Sequence, residues 1–231
     1  VTNIDADHLD YYRDLDDIKD AFRQFLSQSE NHIVDYQEYL TKVPELLVPG
    51  EHNHLNASLA LAVADFLQID EVVAQKALSE FAGTWRRFEY KGETKSGALV
   101  YDDYAHHPTE IKASILGARE FMKKKNLAGK LIVAFQPHLY SRTKLLKDDF
   151  AEVLALTDSV ILLPIYAARE PVDRDINSDV LANLIRSKDG VVDSAQNPLE
   201  ASKMALEQAQ KGDLVVTMGA GDISQLASNL L

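Results

Sequence analysis

From residue 97 onward, short β-rich runs alternate with segments of helical period, and this restricts the fold more than any other feature of the chain. Runs at 97–101, 130–135, 159–163, 190–193 and 213–217 read as strands, and segments at 108–125, 144–156, 178–187 and 198–210 read as helices. Such alternation predicts an α/β fold with a mostly parallel sheet and helices on both faces. In 108–125, Pro108 suits the first turn, Ile111, Ile115, Ala118 and Met122 share one face, and Lys123, Lys124 and Lys125 sit at the favourable C-terminal end.

Ligands of open α/β sheets gather where strands hand over to helices. Four such loops are rich in polar groups. The first reads Asp102-Asp103-Tyr104-Ala-His106-His107-Pro108, the second Gln136-Pro-His138-Leu139-Tyr140-Ser141-Arg142-Thr143, the third Ile165-Tyr166-Ala-Ala-Arg169-Glu170, and the fourth Gly219-Ala-Gly221-Asp222. Asp and His before a proline also serve as ordinary helix-start residues, and a lone Gly-x-Gly is often only a tight turn. Taken together, the loops place Asp103, Tyr104, His106, His138 and Arg142 along one cleft. A guanidinium fork matches a carboxylate bidentately, so with His and Tyr this set suits a small carboxylate bearing an amine.

The first part of the chain is less patterned. Asp5, Asp7, His8 and Asp10 could hold Mg²⁺ or Mn²⁺ beside phosphate oxygens, or could form a solvated acidic loop ahead of the next helix. Asp14 caps a helix with Leu15, Ile18, Phe22, Phe25 and Leu26 on one face, and Pro49-Gly50 marks a domain boundary near residue 48. Asn53 and Asn56 share a face in the first turn of the helix that continues through 57–67, placed either to read a purine or ribose or to cap that helix. A second helix spans 71–81, and 83–90 alternates as a strand, which puts Arg86 and Arg87 on opposite faces.

A net charge of -12 argues against nucleic acid or an anionic membrane as the partner, and the absence of cysteine excludes disulfides and thiol chemistry. No run reaches the roughly eighteen apolar residues of a membrane span. These features lead to the expectation of a cytoplasmic protein. The opening at Val1 leads to the expectation that the chain is cut from a longer one.

The segments 2–10, 50–57, Arg86-Arg87-Phe88, 102–111, 135–143 and 219–222 occur in the order found in the muramyl ligases of peptidoglycan synthesis, and the chain resembles that family. The likeness is strongest to the branch that joins L-alanine to UDP-N-acetylmuramate, through the Asp-Asp-Tyr-x-His-His-Pro and Gln-Pro-His-x-x-Ser-Arg-Thr pair. It implies an ATP-dependent amide ligase that makes an acyl phosphate with Mg²⁺ or Mn²⁺. It also implies a Rossmann-like C-terminal domain over 49–231, preceded by a small helical remnant of the central ATPase domain over 1–48. By motif, His8 resembles a metal ligand, Asn53 and Asn56 adenine-side contacts, Arg87 a phosphate contact and Asp103 the ribose partner. Tyr104, His106, His138 and Arg142 resemble the pocket for the incoming alanine.

Departures from the family pattern matter as much. No Gly-x-x-Gly-Lys-Ser/Thr phosphate cradle occurs, the UDP-sugar domain has no counterpart, the chain is short between 28 and 50, and Leu139 stands where some members place an arginine. The expectation is therefore a ligase portion, inactive by itself, whose partners are the missing N-terminal and P-loop regions. Two alternatives stay open: a ligase that recycles a preformed tripeptide, and a non-catalytic binding module.

Overall fold

The computed structural model describes residues 1–9, 11–30 and 36–231, so Asp10 of the acidic loop lies outside the described residues. They form two compact units, Val1–Ala82 and Gly83–Leu231. This division falls later than the Pro49-Gly50 punctuation, because the helices after it pack with what precedes them.

In the first unit, α1 (Leu15–Ser27) starts where the Asp14 carboxylate accepts the Asp17 N–H at 2.9 Å. A 3-10 turn (Gln37–Lys42) packs on α2 (Glu51–Phe66), which packs in turn on α3 (Glu71–Glu80). Tyr39 Oη donates to Asp65 at 2.7 Å, and Lys42 Nζ pairs with Glu71 at 2.8 Å. Asp70 caps α3 by accepting from Val72 N and Val73 N.

The second unit is a six-stranded sheet in the order β1-β2-β6-β3-β4-β5. Its strands are β1 (Glu89–Glu93), β2 (Leu99–Asp103), β3 (Leu131–Phe135), β4 (Ser159–Leu162), β5 (Val192–Ser194) and β6 (Leu214–Met218). Only the β1–β2 pair is antiparallel. The period of two splits β3 between two cores. Leu131, Val133 and Phe135 meet Ile111 and Ile115 of α4 (Pro108–Lys124) and Phe150 and Leu154 of α6 (Lys147–Leu154), beside α7 (Ser178–Ser187). Ile132 and Ala134 meet Ala201 and Ala205 of α8 (Pro198–Gln208) and Leu226 of α9 (Ser224–Asn229). Helices therefore cover both faces, as the alternation predicts. All residues of β3, β4 and β6 are buried, as strands sandwiched between helix layers must be.

Two local readings need correction. Residues 84–88 form a turn and not a strand: Arg86 and Phe88 have φ of 54° and 49°, and β1 begins only at Glu89. The expected helix 144–156 is two helices, α5 (Tyr140–Leu145) and α6, broken at Leu146 with φ -108° and ψ 18°.

Topology places the crevice. The return from β5 through α8 runs on the second face and lands β6 between β2 and β3, whose outgoing helices α4 and α6 lie on the first face. The carboxyl ends of β2, β6 and β3 therefore flank a switch point, where open sheets bind ligands.

Candidate functional site

At the switch point, the inward side chains form a closed polar knot. Asp102, 1% exposed, takes Arg86 Nε at 2.7 Å on one oxygen and Thr217 Oγ1 at 2.5 Å on the other. Arg86 is 4% exposed and also donates through Nη2 to the Gly219 carbonyl at 2.6 Å. Asp103 accepts from Phe88 N at 3.1 Å, Ala105 N at 2.8 Å and Ser114 Oγ at 2.9 Å. Burial pushes its carboxyl above the usual range, and these hydrogen bonds oppose part of that rise.

The glycine turn is held in the same way. Gly219 N donates to the Asp103 carbonyl, Gln136 Nε2 to Asp222 Oδ1 at 2.7 Å, and Ile223 N to Gln136 Oε1 at 3.1 Å. A Cβ on Gly221 would lie 2.4 Å from Gln136 Oε1 and 2.9 Å from the Tyr166 ring, so only glycine lets the turn approach this closely.

Above the knot lies a more open cluster. Tyr104 and His106 meet edge to face at 5.1 Å, His106 lies 6.0 Å from His138, and His138 stacks on Tyr166 at 5.7 Å. Arg142 Nη1 is 3.5 Å from His138 Nδ1. Burial, then the charge of Arg142 and that of His106, hold the His138 imidazole below its ordinary pKa, which favours the neutral ring. His106 Nδ1 sits 2.9 Å from the Tyr104 carbonyl and 3.3 Å from Glu110 Oε2. The neighbouring His107 does different work: its Nδ1 accepts Thr109 N at 3.3 Å while Glu110 accepts His107 N, a capping box that starts α4. One histidine of the pair thus faces the cluster and the other caps the start of a helix.

Tyr104, His106, His138 and Arg142 are therefore brought together, as their strand-end positions predict. Asp103 adjoins them with its carboxylate turned toward Ser114 of α4, on the sheet face opposite the Asp102 carboxylate. The Arg87 side chain is 54% exposed, 3.6 Å from Glu110 Oε1 and 5.7 Å from the Tyr104 ring centre. Leu139 has φ of 72° and ties this loop to the third by donating its N–H to the Tyr166 carbonyl at 2.9 Å. That tie is reinforced where Ser141, through both N–H and hydroxyl, donates to Glu170. Burial pushes the Glu170 carboxyl up, but hydrogen bonds from Ser141 and Tyr140 with the charge of His138 together hold it low. A cleft of about 190 Å³ lined by Tyr140, Ile165, Asn177, Ser194 and Gln196 lies at the ends of β4 and β5, to one side of the histidines.

Asn53, Asn56 and His8 belong to the first unit. Asn53 Nδ2 donates to the Pro49 carbonyl at 2.7 Å, and Asn56 is exposed on the same turn of α2. The His8 side chain is 69% exposed with Nε2 3.8 Å from Asp7 Oδ2. No group of three His, Asp or Glu among the described residues is arranged to hold a metal ion. Among the described residues, no helix is long and apolar enough to cross a membrane.

Sequence reasoning missed Arg86, Asp102, Gln136 and Asp222 as a set. The usable signal was a pair of hydrogen-bonding side chains at each strand end of a switch point, which only the strand order reveals.

Residues 86–221 match the family model described as Mur ligase, glutamate ligase domain. The chain is 36% identical over 286 aligned positions to the UDP-N-acetylmuramate–L-alanine ligase of Thermobifida fusca, covering all of this chain and 60% of that protein. It is 33% identical over 280 positions to the same-named enzyme of Agathobacter rectalis, with the same coverage. The chain thus spans about 60% of the length of these relatives. Because 286 positions are aligned to 231 residues, at least 55 positions of the first relative have no counterpart here. Among solved structures, the UDP-N-acetylmuramate-alanine ligase of Thermotoga maritima matches with a TM-score of 0.66 and 28% identity, over 80% of this chain and 38% of that one. A murein peptide ligase of Psychrobacter arcticus matches with a TM-score of 0.52 and 27% identity, over 78% and 36%.

Proposed function

This chain belongs to the Mur ligase family, and we propose that its second unit is the amino-acid-binding half of an ATP-dependent ligase joining L-alanine to UDP-N-acetylmuramate. The observation that carries the reading is the convergence of Tyr104, His106, His138 and Arg142 at the carboxyl edge of the sheet. The names of the two curated relatives support the choice of substrate.

In this reading Arg142 grips the alanine carboxylate, and the imidazoles of His106 and His138 orient the amine. The lactyl carboxylate of the sugar nucleotide takes the γ-phosphoryl group of ATP. The alanine ammonium gives up a proton, its nitrogen attacks the acyl carbon, a C–N bond forms, the C–O bond to phosphate breaks, and inorganic phosphate leaves. A neutral His138 suits this edge, since it leaves a ring nitrogen free of a proton beside an incoming ammonium group.

The remaining assignments are proposals on the same footing: Asn53 and Asn56 beside adenine, Arg87 on a phosphate, Asp103 on ribose through the acceptor capacity left on Oδ1, and residues 1–48 as a partial central-domain segment. Magnesium typically takes one or two protein ligands alongside phosphate oxygens and water. His8 offers one such ligand and no assembled set among the described residues, so in this reading the metal arrives with the nucleotide.

Without a P-loop sequence the chain is expected not to turn over by itself. The test is ADP release from Mg-ATP with UDP-N-acetylmuramate, with and without L-alanine, for the chain alone and with a P-loop-bearing N-terminal fragment added. Alanine-dependent release only on addition supports the reading. Release by the chain alone overturns the claim of incompleteness, and release that requires a tripeptide instead of alanine moves the assignment to a peptide-recycling ligase, the reading that the Psychrobacter arcticus neighbour favours.

A further inference from the structure

Arg86 is buried in a position where stability alone gives little reason for a guanidinium. A buried ion pair rarely outperforms well-packed apolar side chains, because desolvation offsets most of the attraction. What arginine adds is a rigid planar fork with fixed directions. Here one N–H reaches Asp102 at the end of β2, another reaches the Gly219 carbonyl just past β6, and the guanidinium carbon lies 5.2 Å from the Tyr104 ring centre. The backbone takes part as well: the Arg86 carbonyl accepts Tyr104 N at 2.7 Å, and Arg86 N donates to Glu89 at 3.0 Å. Both Arg86 and Phe88 hold positive φ, a conformation that non-glycine residues keep only where surrounding bonds impose it.

We infer that Arg86 is a positioning residue that sets Tyr104 and the 219–222 turn on opposite sides of the switch-point crevice. Lysine could keep the charge beside Asp102, but not the second directed bond or the flat contact with Tyr104. The inference rests on the acceptor-pocket reading above for what Tyr104 then touches, and not for how Tyr104 is held.

The experiment compares the 231-residue chain with Arg86→Lys and with the charge-neutral double variant Arg86→Met/Asp102→Asn, which removes both members of the pair in case a single uncharged substitution fails to fold. Amide ¹H–¹⁵N spectra and L-alanine titrations are recorded for each. In Arg86→Lys the amides of Tyr104, His106 and residues 219–222 are expected to shift while those of Val192–Ser194 in β5 stay in place. L-alanine affinity is expected to weaken about tenfold, the equivalent of one well-placed hydrogen bond. Unmoved Tyr104 and 219–222 amides would overturn the inference. So would wild-type alanine affinity in the folded double variant, since the pair would then serve stability alone. If the unsubstituted chain shows no alanine-dependent shift at all, the pocket reading fails, and the amide comparison by itself decides the role of Arg86.

Discussion

Helices α1 and α4 carry apolar stripes of the same period, yet they meet different fates. Ile111, Ile115 and Ala118 of α4 are fully buried, whereas α1 buries Ile18 and leaves Phe25 60% exposed. The contrast extends across the two units. Phe66, Leu67, Val72 and Val73 of the first unit are 57 to 72% exposed, while β3, β4 and β6 of the second are buried end to end. Periodicity tells which side chains can share a face. Whether that face finds a partner depends on elements elsewhere in the chain, and here the sheet supplies them for α4 alone.

The largest effect that tests this contrast is a core truncation set against an exposed one. Phe135→Ala removes a fully buried ring from the first core and should cost about 3–5 kcal/mol in the second unit. Phe25→Ala should stay within about 0.5 kcal/mol. Urea unfolding followed by signals assigned to each unit gives both numbers. A large penalty at Phe25 would mean that the α1 face is covered in solution, for example by self-association. Amide hydrogen exchange sharpens the same point: Val133 and Val216 should exchange only through global opening of their unit, and Phe22 and Phe25 through local opening. Hours-long protection at Phe22 and Phe25 would break the contrast.

The elements that sequence reveals are those whose partners are generic. Helix α7 was expected at 178–187 and spans Ser178–Ser187, because an apolar face and an N-cap are local properties. The turn at 84–88 is not a strand because its shape comes from bonds no local pattern encodes: Arg86 reaches Gly219 across 133 positions, and Phe88 N reaches Asp103 across 15. The candidate site divides along the same line. Tyr104, His106, His138 and Arg142 were legible since each follows a strand, and strand ends converge in any parallel sheet. The knot beneath them was not, since naming it requires knowing that β6 returns between β2 and β3.

A middle-sized effect separates the open cluster from its surroundings by pH. The folded chain holds His138 below its ordinary value, so below about pH 6.5 the unfolded chain takes up a proton that the folded one resists. Stability of the second unit should then be complete above that pH and decline as pH falls toward the depressed folded value. His138→Phe should flatten this part of the profile. Asp103 acts in the opposite sense at lower pH: its carboxyl is raised in the fold, so its contribution grows as it becomes protonated. A urea midpoint that is flat with pH from 7 to below 6 in the unsubstituted chain would show that the His138 ring is hydrated and outside the cluster.

The smallest effect asks where the contrast between units should vanish. Helix caps are local, so they should not distinguish a helix packed on the sheet from one that is largely exposed. Asn177 caps α7 by accepting Val180 N at 2.9 Å, and Asp70 caps α3 by accepting Val72 N at 3.0 Å. Replacing either by Ala removes one acceptor from a first turn whose N–H groups have no other helical partner, at a cost of about 1 kcal/mol. Equal losses, each read on its own unit, would locate the difference between the units entirely in the burial of faces. A silent Asp70→Ala would mean that α3 is already frayed before its cap is removed, and the exposed valines behind that cap would then mark a helix that its unit does not hold.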